Sequence, residues 1–62
     1  MTTSNIQRVF LVEDDHGTLN RLAYIIRTQS GLSLGGMAST YTDAAKWLEN
    51  NNVDVLLTDQ GL

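Results

Sequence analysis

The chain has 62 residues, of which 42% are hydrophobic and 18% are charged, and its formal net charge at pH 7 is −3. A chain of this length forms at most one small domain that buries about 60% of its unfolded surface. Its composition is ordinary for a globular protein and argues against intrinsic disorder. It has no cysteine, which excludes disulfides, thiolate metal sites and cysteine nucleophiles.

The four basic residues are spread along the chain, at Arg8, Arg21, Arg27 and Lys46. Without a basic cluster, we expect no nucleic-acid contact by this segment. The first residues lack the basic and apolar regions of a signal peptide, and no apolar run approaches the length of a membrane span. We therefore expect a cytoplasmic protein that does not contact a membrane.

The first predicted element is a strand over about residues 8–12. Four branched or aromatic apolar residues fill it, and a short continuous run of this kind is typical of a strand buried on both faces. Three acids follow directly, Glu13, Asp14 and Asp15. Carboxylates crowded at the C-terminal end of a strand, where open α/β sheets bind ligands, indicate a site for a hard cation.

An amphipathic helix is predicted next, over about residues 16–29, because apolar residues recur at the i, i+3, i+4 and i+7 spacing of one helical face. These residues are Leu19, Leu22, Ala23 and Ile26. Asp14, Asp15 and Thr18 suit the hydrogen-bonding and dipole needs of a helix N-terminus. Gly31 is expected at the C′ position, just beyond the helix.

A second strand is predicted at about residues 32–38, and its two glycines place it at a sheet edge. Thr40 and Asp43 approximate a capping box for a second helix at about residues 41–50. The apolar face of that helix is predicted from Tyr41, Ala44, Ala45 and Leu48, with Trp47 flanking it. A last strand at about residues 53–58 gives the order βαβαβ, whose connections suit right-handed parallel crossovers.

The last predicted strand also ends in an acid, Asp59. If the first and third strands are adjacent, then Glu13, Asp14 and Asp59 converge in one crevice and need a compensating charge. Mg²⁺ binds one or two carboxylates together with water, and a carboxylate beside the metal can act as a nucleophile toward a phosphoryl group. The alternative is that the first three acids only cap a helix and that Asp59 only begins a turn.

Three segments, 9–15, 38–48 and 53–62, together resemble the receiver domain of two-component response regulators. The specific features are the acidic pair after the first strand and a later Asp, Asp59, that is followed by x-Gly-Leu. The resemblance implies a flavodoxin-like α/β fold with a parallel sheet, of which residues 1–62 are the N-terminal half, truncated to βαβαβ.

The same resemblance implies that Asp59 is the phosphoacceptor for a sensor histidine kinase. Mg²⁺ would be held directly by Asp14, mainly through water by Glu13, and also by Asp59 and the backbone carbonyl of Gly61. Asp15 has no metal role in the family and is expected to be a helix cap. A receiver is a signalling module rather than an enzyme, and DNA contact would belong to an output domain outside this segment.

A receiver ordinarily continues after the position of Leu62 with a Pro, two strands and three helices that carry further phosphoryl-binding groups. We therefore expect a segment that binds Mg²⁺ weakly, is phosphorylated poorly and self-associates through its apolar last strand. Two alternatives remain open. One is an inert structural fragment that assembles through the sheet edge, and the other is a Mg²⁺-dependent phosphohydrolase with an Asp nucleophile.

Overall fold

The computed structural model describes residues 6–58 and has an α/β architecture, in which two helices pack on a three-stranded parallel sheet. The elements in chain order are β1 (Gln7–Val12), α1 (His16–Thr28), β2 (Leu32–Ala38), α2 (Tyr41–Asn50) and β3 (Val55–Thr58). The bounds of β2 and α2 agree with the sequence analysis. β1 begins one residue earlier than expected, α1 ends one residue earlier, and β3 begins two residues later.

The strand order in the sheet is β2-β1-β3, and both pairs of neighbours are parallel. The first and third strands are therefore adjacent, as the sequence analysis assumed, and β2 lies at an edge. The apolar residues of the central strand, Val9 to Val12, are all buried. Burial on both faces explains why this run is continuously apolar instead of alternating with polar residues.

The side chains of β1 alternate between two cores, one under each helix. Val9 and Leu11 pack with the buried face of α1, which consists of Leu19, Ala23 and Ile26. Phe10 and Val12 pack with Ala44 of α2, and the ring centroids of Phe10 and Trp47 lie 4.6 Å apart. The two cores depend on the same strand, so β1 is the element around which the structure is organised.

A β-bulge in β2 brings its backbone close to this aromatic pair. Val9 lies opposite Leu34 but Phe10 lies opposite Gly36, so Gly35 is an extra residue with no partner in β1. A Cβ added to Gly36 would lie 2.9 Å from Cε1 of Phe10 and 3.0 Å from Cε2 of Trp47. Glycine is required at position 36 because the two rings occupy the space that a side chain would fill.

Hydrogen bonds made by a side chain and by the backbone cap the two ends of α1. Asp15 is the N-cap residue, as expected, and the helix ends at the C-cap residue Gln29. Gly31 has a φ of +88° but lies one residue beyond the C′ position that the sequence analysis gave it. Its carbonyl accepts a hydrogen bond from the backbone N–H of Gln7, at 2.9 Å. Gly31 thus reverses the chain from the helix into β2 and ties that turn to the start of β1.

The buried face of α2 differs from the predicted one. Ala44 is buried and Trp47 and Leu48 are half-buried, whereas Tyr41 is 54% exposed and Ala45 is exposed. The face of α2 that meets the sheet therefore carries Ala44 and Trp47, and Trp47 packs on Phe10. Its ends are capped by Thr40, whose Oγ1 accepts from the N–H of Asp43, and by an Asn51 side chain that donates to Trp47 O.

The late start of β3 has a cause in the residues before it. The backbone N–H of Arg8 donates to Oδ2 of Asp54 at 2.8 Å, and the N–H of Asp54 donates to the carbonyl of Arg8 at 2.9 Å. Val53 is half-buried against the core under α2. Residues 53 and 54 therefore anchor the chain to β1, and strand pairing begins at Val55.

After residues 53 and 54, the side chains of β3 are largely exposed to solvent on both faces of the sheet. Val55 and Leu57 on the α1 side of the sheet are 36% and 42% exposed, and Leu56 on the α2 side is 50% exposed. Within residues 6–58, β1 is the only element in extensive contact with β3. In the same part of the chain, neither helix is both long enough and apolar enough to cross a membrane.

Candidate acidic site

The C-terminal ends of β1 and β3 lie side by side because the two strands are parallel neighbours. Val12, the last residue of β1, lies opposite Thr58, the last residue of β3. The acids Glu13 and Asp14 follow directly after Val12, and Asp59 follows directly after Thr58 in the sequence. Both acidic segments thus follow residues that are paired at the same C-terminal end of the parallel sheet.

Glu13 is buried, with only 2% of its surface exposed. Its backbone N–H donates to the carbonyl of Ala38 at 3.1 Å, which extends the β1–β2 pairing past the end of the strand. Its Oε2 accepts a hydrogen bond from the backbone N–H of Asp15, also at 3.1 Å. A buried carboxylate is costly unless it is hydrogen-bonded. The bond to Oε2 and the bond from the backbone N–H hold Glu13 in position at the C-terminal end of β1.

Asp14 lies between Glu13 and the helix cap, and it is exposed to solvent. The strand holds the residue before it and the helix N-terminus holds the residue after it. Its backbone is consequently confined while its carboxylate stays accessible. An exposed carboxylate is accessible to a cation such as Mg²⁺ that keeps several of its waters.

Asp15 serves the helix. Its Oδ2 accepts hydrogen bonds from the backbone N–H of Thr18 at 2.8 Å and from the Thr18 hydroxyl at 2.7 Å. The bond from the Thr18 hydroxyl, then the bond from its backbone N–H, lower the pKa of Asp15 below its ordinary value, with a smaller contribution from the charge of Arg21. The predicted role of Asp15 as a cap is confirmed.

The other two predicted ligands, Asp59 and Gly61, lie outside the described residues. Within residues 6–58, no group of three or more His, Cys, Asp or Glu side chains is placed to hold a metal ion. The described part of the site therefore consists of Glu13 and Asp14 only. Their oxygen donors match the preference of Mg²⁺ for hard ligands, and one or two carboxylates are what that ion usually takes from a protein.

A groove of about 460 Å³ lies near the C-terminal ends of the strands, between the first turn of α1 and the start of α2. Its apolar lining includes Phe10, Leu19 and Trp47, and its polar lining includes His16, Ser39 and Asp43. The sequence does not predict this groove. It lies where Ser39, in the β2–α2 turn, and Asp43, in the first turn of α2, face α1, and the periodicity within single elements does not indicate how they face each other.

Comparison of the chain with family models, with curated proteins and with solved structures gives no match.

Proposed function

We propose that this chain is a phosphoacceptor module of the receiver type, which takes a phosphoryl group from a sensor histidine kinase onto Asp59 in the presence of Mg²⁺. In this proposal the three-stranded parallel sheet is the first half of a flavodoxin-like fold. The module signals and does not turn over a substrate of its own. It works in the cytoplasm, and any DNA contact belongs to a separate output domain.

One observation carries the proposal: β3 is the direct neighbour of β1, in parallel register, with Thr58 opposite Val12. Acids that are far apart in the sequence thereby follow two adjacent strand ends. The switch point of an open α/β sheet lies between two adjacent strands at which the strand order reverses, and such folds bind ligands there, outside the C-terminal ends of the strands. A strand order that separated β1 from β3 would have removed this support.

Each acid has a distinct task in the proposed site. Asp14, which is exposed, is a direct Mg²⁺ ligand, and Glu13 acts mainly through a bound water. Asp59 and the carbonyl of Gly61 complete the protein's ligand set, and Asp15 keeps the helix start in place. The metal would supply charge neutralisation on the phosphoryl oxygens.

The proposed reaction is an in-line phosphoryl transfer. A carboxylate oxygen of Asp59 attacks phosphorus, an O–P bond forms, and the N–P bond to the kinase histidine breaks. The imidazole nitrogen keeps the electron pair of that bond and is protonated by water. Positioning and charge stabilisation supply most of the catalysis in such a transfer, which is consistent with a site built from a few carboxylates.

Acetyl phosphate tests the proposal without the kinase. Because we expect this segment to be phosphorylated poorly, intact-protein mass spectrometry should find one added phosphoryl group in a minor fraction of the molecules after incubation with Mg²⁺, and peptide mapping should place it on Asp59. The transfer breaks the P–O bond to acetate, which leaves with its electron pair. Asp59→Asn should remove the labelling, and chelation of Mg²⁺ should reduce it to background.

Two neighbouring acids provide a matched comparison for the metal. Asp14→Asn should raise the Mg²⁺ concentration that gives half-maximal labelling by about tenfold or more, because the metal loses a charged ligand. Asp15→Asn should not, because asparagine is an equally good N-cap. Labelling that persists in Asp59→Asn, or that responds equally to both neighbouring substitutions, would disprove the proposed site.

A further inference from the structure

The groove between the first turn of α1 and the start of α2 is a candidate ligand site that the proposed phosphoryl transfer does not use. Its volume of about 460 Å³ falls within the range of about 300–1,000 Å³ that is usual for small-molecule sites. In the described part of the chain, its lining comes from β1, α1, β2, α2 and the turn after β2, and none of it from β3. Because β2 and β3 lie on opposite sides of β1, a sheet that continues beyond β3 extends away from the groove.

One end of the groove is apolar. It is formed by Leu19, in the first turn of α1, and by Met37, whose position opposite Leu11 in the sheet places its side chain on the α1 side. Met37 is 41% exposed although it lies inside a strand. Because a methionine side chain is unbranched and polarisable, it adapts to the surface of an aromatic ring.

The opposite end of the groove carries a negative charge beside an aromatic ring. Asp43 and Trp47 both line it and are four positions apart on α2, which puts their Cβ atoms about 5–6 Å apart on one face of the helix. Trp47 is half-buried, and its ring packs on Phe10. A carboxylate next to an indole suits an organic cation, which is attracted by the charge of the first and by the ring electrons of the second.

The carboxylate of Asp43 is not used by the helix cap. In a complete capping box it would accept a hydrogen bond from the backbone N–H of Thr40. The structure contains only the other half of that motif, in which the N–H of Asp43 donates to Oγ1 of Thr40 at 3.1 Å. Within residues 6–58 the Asp43 carboxylate accepts no hydrogen bond and forms no ion pair, and it is exposed to solvent, so it is available to a ligand.

The local charge decides the sign of the ligand. A helix N-terminus carries about half a positive charge, and the groove lies near two of them. Each terminus has an acid with a full negative charge close to it, Asp15 at α1 and Asp43 at α2, and no Arg or Lys from the described ranges lines the groove. The sum is negative, so a cation is favoured over an anion.

We infer that the groove binds a small arylalkylammonium ion, which is a protonated primary amine joined by a short alkyl chain to an aromatic ring. The ring lies between Leu19 and Met37, and the ammonium group lies beside the Asp43 carboxylate and the Trp47 ring. Ser39, where the chain leaves β2, also lines the groove, and its hydroxyl can accept a hydrogen bond from the ammonium group.

This site is independent of the phosphoryl chemistry. Asp59→Asn, which removes the proposed phosphoacceptor, should leave ligand binding unchanged, and a failure of either proposal leaves the other standing. A ligand in an open groove keeps part of its surface in water, so we expect a dissociation constant of about 1 mM.

Four probes separate charge from shape in the wild-type chain. 2-Phenylethylammonium has the ring and the charge, 2-phenylethanol has the ring alone, ethylammonium has the charge alone, and 3-phenylpropionate has the ring with the opposite charge. We expect the first to bind about fivefold or more tightly than each of the others, since only it uses both ends of the groove. Titrations followed by ¹H–¹⁵N NMR should shift the amide signals of Ser39 and Asp43 and the indole signal of Trp47.

Two acids on α2 provide a matched comparison. Asp43→Asn and Glu49→Gln each remove one negative charge from an exposed side chain, but only Asp43 lines the groove. Asp43→Asn should weaken the binding of 2-phenylethylammonium by about two- to fivefold and leave that of 2-phenylethanol unchanged, whereas Glu49→Gln should change neither. Circular dichroism checks that both variants are folded.

Three results would overturn the inference. The first is binding of 3-phenylpropionate as tight as that of 2-phenylethylammonium, which would show that the charge of the groove does not select a cation. The second is an equal effect of Asp43→Asn and Glu49→Gln. The third is a wild-type spectrum in which 2-phenylethylammonium at about 20 mM, well above the expected dissociation constant, shifts no signal of the groove.

Discussion

At the scale of single residues, three consecutive acids occupy three different environments. Glu13 is buried and hydrogen-bonded, Asp14 is exposed, and Asp15 is engaged by Thr18 at the helix start. The change from strand to helix within these three positions turns each side chain in its own direction. Three acids with the same charge consequently differ in role: Glu13 is held in place, Asp14 is accessible to solvent, and Asp15 caps the helix.

Gly36 is a residue-scale feature whose importance can be measured. Gly36→Ala places a methyl group within 3.0 Å of the rings of Phe10 and Trp47, so we expect it to destabilise the fold by about 1–3 kcal/mol. Urea unfolding followed by the fluorescence of Trp47, the single tryptophan, measures the change.

Gly35→Ala is the control for that substitution, because its added Cβ would lie 3.5 Å from the Arg8 guanidinium and from Val53, an ordinary contact distance. We expect its free energy of unfolding to change by less than about 0.5 kcal/mol. If both alanines had the same effect, the cause would be the loss of glycine from the bulge, not the close approach of the two rings.

At the scale of elements, α1 carries the pH dependence that the structure predicts. The bonds from Thr18 lower the pKa of Asp15 in the folded state, so the ionised form is favoured there over the unfolded chain. The resulting stabilisation is complete above the ordinary pKa of 3.8 and is lost as the pH falls through the lower, folded-state pKa. The fall in the free energy of unfolding at acidic pH should therefore include a contribution from the Asp15 cap.

Asp15→Asn should remove that contribution and leave the rest of the acid transition in place, because the amide oxygen still accepts from the Thr18 N–H but does not titrate. Asp15→Ala should unfold at lower urea concentration than Asp15→Asn at pH 7. Midpoints from circular dichroism, taken across the acid range, supply both comparisons. An Asp15→Asn curve that parallels wild type throughout would show that the cap bonds do not favour the charged form.

The elements themselves could largely be predicted from hydrophobic periodicity, whereas their contacts could not. The Leu19–Ile26 stripe correctly indicates the buried face of α1, where Leu19, Ala23 and Ile26 are buried. The same rule fails for α2, in which Trp47 packs on Phe10 while Tyr41 is exposed. The contact between the two rings joins residues 37 positions apart, so the periodicity within one helix does not indicate it.

At the scale of the whole molecule, the sheet order is what joins distant parts of the chain into one candidate site. Two apolar strands that each end in acid are sufficient to suggest this arrangement, provided that β1 and β3 are neighbours, and in the structure they are. The nearby groove was not predictable, because it is formed where a turn after one strand faces a helix from the other side of the sheet.

The bulge at Gly35 shifts the alternation of side chains in β2 by one residue. Leu34 and Met37 share the α1 side of the sheet although they are three positions apart, while Gly36 and Ala38 share the other side. Removal of Gly35 would leave a regular strand in which no side chain changes sides. β2 can thus lose Gly35 without moving any of its side chains to the other face of the sheet.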